Sequence, residues 1–235
     1  MRLENYAQIS SKNFIISRTE NIVDKAGRDK EFDYQTVKKT KEIKRDMNVA
    51  LIQNTTQIAG SSAVARQTRG LAGWIAQGSV GAGVGAFPVV STNTAPVAGT
   101  ARAFDEALLK DMVSDAYNAG GENWTLYVRP ADKVVASAFT GNATRYQDVA
   151  RNDGKLVAAY DVYVSDFGTI KIVPERHCDA AAYLIDHDQV EVVTLDGLSR
   201  SPLAKTGDAE KMLLTVEYGL KCDNPAAHAV ARDLL

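Results

Sequence analysis

The stretch "DYQTVKKTKEIKRDMNVALIQN", residues 33–54, decides how the rest of the chain is read. Phe32, Ile43, Met47, Ala50 and Leu51, with Thr36 and Thr40 on the same line, recur at three- and four-residue steps, which predicts one helix with a narrow buried stripe. At about 1.5 Å per residue such a helix spans roughly 33 Å, close to twice the mean helix length. Lys38, Lys39, Lys41, Lys44 and Arg45 crowd its other faces, and Glu42 and Asp46 offset part of their charge. Ion pairs on a solvated helix face contribute little, so these side chains read first as the water-facing side of a structural helix. An element this long and this thinly apolar needs a second surface to hold it straight.

Upstream, "NYAQISSKNFIISRTE" is rich in β-branched and aromatic residues, so residues 6–17 read as an extended strand or arm. Ser17 and Glu20 fit a capping box ahead of a short helix that Gly27 can close. Downstream, residues 55–100 turn to Gly, Ala, Ser and Thr around "GSVGAGVGAFPVVSTNTAPVAGT", which reads as loop or arm. A connection this long is unusual inside a compact domain. Asp105 then caps a helix with a seam of Leu108, Leu109, Met112, Val113, Ala116 and Tyr117, ended by Gly120 and Gly121.

"WTLYVR" alternates as a strand, and Pro130 opens a short helix that Gly141 can stop. "YDVYVS" and "TIKIV" form a hairpin about Asp166, Phe167 and Gly168. "AAYLIDHDQVEVVTL" gives two more short strands, and Leu214, Val216, Tyr218 and Leu220 alternate as a half-buried strand. Helices and strands do not interleave as βαβ units, so the fold class is α+β.

The chain has 235 residues, 45% of them apolar, and a net charge of −2, so a sizeable core is within reach and uniform electrostatic gripping of nucleic acid is not the expected business. No run of 18 apolar residues and no secretory leader is present, which points to a protein made in the cytosol with no membrane partner. Cys178 and Cys222 read as buried thiols. Gly81, Gly83 and Ala86 match G-x-G-x-x-A, but no strand leads in and Pro88 blocks the helix that should follow, so the segment reads as flexible loop. His177 beside Cys178 and Asp179, and His187 between two aspartates, give no zinc-like spacing. The three histidines, His228 included, read as exposed turn or strand-end residues. No catalytic constellation, cofactor or metal site is expected.

Several stretches together are similar to one family. "NYAQISSKNFIIS", "VDKAGRDKEFDYQTVKKTKEIKRDMNVAL", "LLKDMVSDAYNAGG", "DVYVSDFGTIKIVPER" and "LAKTGDAEKMLLTVEYGLKCDNPAAHAVARDL" resemble, in the same order, the major head proteins of tailed bacteriophages. That resemblance implies the Hong Kong 97 capsid fold, with a peripheral domain built on a long spine helix and an axial domain at the capsomer centre. It implies that residues 1–17 are the returning strand of an extended loop. Residues 18–60 and 201–235 would be the peripheral domain, with the spine helix at 33–54. Residues 61–104 would be a connecting loop and 105–200 the axial domain. Relatives begin with an N-terminal arm and the loop's outgoing strand, so an N-terminally short form is implied.

The function implied is a non-enzymatic shell subunit, made in the host cytoplasm and placed in the virion capsid. Its partners would be copies of itself in hexamers and pentamers, packaged double-stranded DNA without sequence preference, and scaffold, portal or decoration proteins. Lys12, Phe14, Lys38, Lys39, Lys41, Lys44 and Arg45 are the candidates for the assembly or DNA-facing surface. Two other classes stay open from the residues alone: a non-catalytic nucleic-acid-binding module using residues 38–45, and a nucleotide-binding enzyme using the Gly-rich segment.

Overall fold

The expected long helix is α2, Glu31–Gln53, 23 residues without a break. The computed structural model describes residues 3–23, 27, 30–139, 162–205 and 207–235. What keeps α2 straight is a three-stranded antiparallel sheet. β1, Gln8–Ser17, pairs along its whole length with β8, Ala209–Cys222, and β8 pairs on its other side with β7, Val190–Leu203. The alternation in β8 works as its pattern predicts: Leu214, Val216, Tyr218 and Leu220 turn inward and are buried. With Phe14 and Ile16 of β1, Leu214, Val216 and Tyr218 receive Ile43 and Ala50, while Phe32, Met47 and Leu51 pack at the margin. Burying a side chain such as Ile43 contributes about 1.5–3 kcal/mol. Thr36 and Thr40 lie in the same stripe because each hydroxyl donates to a carbonyl one turn back, those of Phe32 at 2.9 Å and Thr36 at 2.8 Å.

The second sheet has six strands in the order β2 (Gly78–Ser79), β9 (Ala229–Arg232), β6 (Ala181–Asp186), β3 (Trp124–Val128), β5 (Gly168–Pro174) and β4 (Val162–Ser165). Both faces are covered at β9, β6 and β3, whereas β5 and β4 keep one face in water. Leu109, Met112, Val113 and Ala116 of α4, Glu106–Asn118, pack on Trp124, Leu126, Ile170, Leu184 and Ala231. On the other face Tyr183, Ile185 and Val230 meet Ile75 and Ile52, so the last turn of α2 reaches this second core. All six residues of β6 are buried, as expected of a central strand covered on both sides.

Local signals hold in this half. The Asp105 carboxylate accepts from the Leu108 amide at 2.8 Å to cap α4, Gly120 follows that helix at φ +88°, and Pro130 opens α5, Pro130–Ser137. Ser165 pairs with Gly168, which leaves Asp166 and Phe167 as the turn of the β4–β5 hairpin. The Ser17 hydroxyl accepts from the Glu20 amide to start α1, Arg18–Ile22.

Several readings change. α1 ends at Ile22 and α5 at Ser137, both earlier than expected, and Gly141 lies outside the described residues. The second of the two "short" strands is β7, 14 residues long, and it pairs with β8 rather than with the sheet under α4. β9 goes the other way: it lies near the C-terminus but sits between β2 and β6 in the six-stranded sheet. The chain therefore passes from the three-stranded sheet to the six-stranded one, back again for β7 and β8, and over once more for β9.

The Gly/Ala-rich residues 55–100 have little regular structure, but they are not a loose arm. α3, Leu71–Trp74, is buried at Ala72, Gly73 and Trp74. Glycine is required by close approach: a Cβ on Gly73 would stand 1.9 Å from the Thr55 carbonyl oxygen, and one on Gly81 would stand 2.2 Å from that of Thr100.

Candidate assembly surface

The sheet side of α2 is filled, so its remaining faces set what the helix offers. Lys38, Lys41, Lys44 and Arg45 are exposed, and among the described residues none of the four is held in an ion pair. Steps of three and four residues put Lys38, Lys41 and Arg45 on one side of the helix. Lys39 is taken up locally by Glu42 at 2.7 Å. Lys12 reaches from β1 to Asp46 of α2, also at 2.7 Å, and that hydrogen bond and charge hold its pKa above the ordinary lysine value. Both pairs are open to water and steer orientation more than they stabilise.

Phe14 does not belong with these residues. It is buried beneath α2 with its ring centroid 5.3 Å from that of Phe32, so it is core and not surface. The reason is strand parity: Phe14 and Ile16 point to the helix, and Ile15 between them points out and is exposed.

Three asparagines and an arginine, which sequence reasoning did not single out, fasten residues 55–100 to the sheet beside α2. The Asn5 amide donates to the Thr68 hydroxyl at 3.0 Å and to the Leu220 carbonyl at 2.8 Å, and its side-chain oxygen accepts from the Arg69 amide at 2.8 Å. Asn54, which ends α2, donates to Gln8 and to the Thr68 carbonyl. Asn93, at φ 55°, bonds both backbone groups of Gln57 and accepts from Arg69 Nη2 at 3.0 Å. The Arg69 guanidinium is buried, 4.9 Å above the Trp74 ring, and burial lowers its pKa. The partners lie up to 215 residues apart, so no local pattern announces them.

The chemistry-bearing residues are spent on structure. Among the described residues no group of three or more His, Cys, Asp or Glu is placed to hold a metal. Burial pushes the Cys178 and Cys222 thiols up to about 12, which keeps both protonated at neutral pH. His187 is exposed, with its Nε2 3.1 Å from the Tyr127 hydroxyl, and His177 is half-buried in the β5–β6 connection. His228 departs from its reading as an exposed residue. It is fully buried, its Nδ1 accepts from the Asp186 amide at 3.0 Å, and burial brings its pKa down to about 4. In the Gly-rich segment the Gly81 amide, which a phosphate would need, already donates to the Asp233 carboxylate at 2.9 Å.

A rigid basic helix over a half-covered sheet, beside a sheet whose central strands are covered on both faces, has counterparts among known proteins. The model of one family, the SU10 major capsid protein, matches residues 1–235. The chain belongs to that family. The major capsid protein of Escherichia phage Phieco32 is 29% identical over 262 residues, a match that covers 96% of this chain and 74% of the phage protein.

Solved structures share the fold at lower identity. The capsid asymmetric unit of cyanophage A-1(L) superposes with a TM-score of 0.66 at 14% identity, covering 97% of this chain and 77% of that one. A structure from Gordonia phage Cozz gives 0.60 at 14%, covering 98% and 71%. The fold is thus the Hong Kong 97-like capsid fold that the sequence resemblance implies, an α+β arrangement of spine helix and sheets. As a member of the major capsid protein family, the chain is a structural subunit that self-associates into the icosahedral shell of a phage head.

Proposed function

We propose that this subunit tiles the head as hexamers and pentamers and that the exposed side of α2 carries the shell's contact with polyanions. The observation that carries the reading is the set of Lys38, Lys41, Lys44 and Arg45, exposed and held in no ion pair among the described residues, on a helix held rigid by the β1–β8 core, in a chain whose net charge is −2. Packaged double-stranded DNA meets such a face through phosphates alone, without base recognition. Lys12 and Lys39, being paired with Asp46 and Glu42, align α2 on its sheet and add less to that field.

The role is non-catalytic: the thiols stay protonated, and the Gly81 amide faces a carboxylate instead of open solvent. The occupied Gly81 amide weighs against the nucleotide-binding alternative. Synthesis in the host cytoplasm and contacts with scaffold, portal or decoration proteins complete the proposal, resting on family membership.

Electron microscopy of the purified full-length chain tests the assembly. Hexamers, pentamers or closed shells are expected, and a compact monomer under all conditions overturns the proposal. For the polyanion face, the variant K38E/K41E/K44E/R45E is expected to lose most duplex-DNA affinity. The slope of log affinity against log salt should flatten by about 0.9 for each phosphate contact removed. Unchanged affinity and slope would assign the basic side to protein neighbours.

A further inference from the structure

β7 is a structural anomaly in a folded subunit. It is 14 residues long, and all but two of its residues, Val190 and Ser199, are exposed. α2 lies over β1 and β8, and no residue of β7 joins the core beneath that helix. Register shows that both faces of β7 are bare. Val192 lies opposite Leu220, on the helix side, and is 47% exposed; Val193 lies opposite Gly219, on the other side, and is 45% exposed. Among the described residues no strand pairs with its outer edge either, since the sheet ends there in the order β1-β8-β7.

The middle of the strand adds a second, independent feature. Two register shifts, between Thr194 and Asp196 and between Asp196 and Ser199, interrupt the ladder, and Leu195, Gly197 and Leu198 have no partner residue on β8. Bulges re-aim side chains and spoil an edge for further strand pairing. Here they turn out two leucines, Leu195 at 72% exposure and Leu198 at 41%. A strand protected only against edge pairing would carry polar residues at such points. Leucines there fit a partner that covers the faces instead of extending the sheet.

We infer that β7, centred on the bulged Leu195–Leu198 segment, is a contact face that a second copy of this chain covers in the shell. Strand rise and strand spacing give the two faces of such a strip a combined area of roughly 450 Å². That is about half of the ~800 Å² each partner contributes to a standard stable interface, so β7 supplies part of a larger contact between copies. The occupant is a copy of the chain because the subunit self-associates into a closed shell, whose contacts repeat at every subunit. The inference therefore rests on the shell-subunit reading and assigns part of the surface that serves it.

The test uses the full-length chain and the double variant L195D/L198D. Both side chains face water in the subunit, so the variant is expected to fold with its thermal midpoint within about 2 °C of the parent. Its yield of capsomers and shells in electron microscopy and sedimentation is expected to fall at least tenfold. Hydrogen exchange on the parent gives a readout that needs no substitution. The amides of residues 195, 197 and 198, which have no partner residue on β8, should exchange fast in dissociated subunits and become protected in assembled ones. Parental yield from the double variant, or equal exchange in the two states, overturns the inference and leaves the shell reading standing. A parent chain that never assembles overturns both.

Discussion

The two sheets answer the same physical demand in different ways. The six-stranded sheet closes its own problem at its centre: α4 and the strand side chains bury one face, Ile52, Ile75 and neighbours bury the other, and β6 has no exposed residue, with only β4 and β5 leaving one face in water. The three-stranded sheet solves only part of it. α2 covers β1 and β8 on one side, whereas Ile9 and Ile15 of β1 and nearly all of β7 remain in water. One region is finished within the chain, and the other is finished in the assembled shell. That division is what a building subunit requires, since exposed apolar surface is tolerated where a neighbour will cover it.

The largest effect should come from breaking the finished region. Trp124 is 2% exposed, its indole donates to the Ala227 carbonyl at 3.4 Å, and it packs within the α4 core. Trp124→Ala is expected to cost about 3–5 kcal/mol in urea unfolding of the dissociated subunit. A cost below about 1 kcal/mol would mean that this core is less closed than its burial states.

A somewhat smaller effect, about 3 kcal/mol, should come from pH, and it also belongs to the six-stranded sheet. His228 has a folded pKa of about 4 against an ordinary 6.5, because burial disfavours its charged form; the Asp186 carboxylate opposes that shift and His187 adds to it. The group is neutral in both states above pH 6.5, so it contributes no pH dependence there. Between 6.5 and about 4 the unfolded chain takes a proton that the folded chain refuses, and stability falls as pH falls; below about 4 the loss levels off. Unfolding free energies between pH 7 and 4 should show this slope, and His228→Asn should flatten it. An unchanged slope in the variant would place the titration elsewhere.

In the half-covered region, Ile43 is the side chain on which α2 is seated, with no exposed surface. Ile43→Val removes one methylene and is expected to cost about 0.5–1.5 kcal/mol. A cost above that range would show that the α2 core tolerates cavities as poorly as the α4 core does.

The elements that the sequence makes legible are those whose signal is local. α2 follows from steps of three and four residues, β8 from alternation, and α4 and α5 from Asp105 and Pro130 at their first turns. The basic side of α2 is legible for the same reason, since helical phase alone separates Lys38, Lys41 and Arg45 from Ile43 and Ala50.

What escapes is set by distant partners. "IIS" after Phe14 gives three apolar residues in a row, so the inward parity of Phe14 is fixed only by its register opposite Met212. β7 reads as short because a strand bare on both faces has no alternation to show. Glycines at 73 and 81 look flexible until the Thr55 and Thr100 carbonyls are seen against them. His228 looks like one more surface histidine until the amide of Asp186, 42 residues away, is found on its ring.

The smallest expected effect sharpens the contrast most, because it sets two leucines of one sheet side by side. Leu214 and Leu195 lie on neighbouring strands, yet Leu214 is 0% exposed under α2 and Leu195 is 72% exposed at a bulge. Leu195→Ser removes no buried contact within the subunit, so its unfolding free energy should stay within about 0.5 kcal/mol of the parent. Leu214→Ala, by comparison, should cost about 2–5 kcal/mol. Urea titrations of the two dissociated variants decide the matter. A Leu195 variant as damaged as the Leu214 one would mean that the bulge is held by packing within the chain, and the division between a finished and an unfinished sheet would then fail at β7.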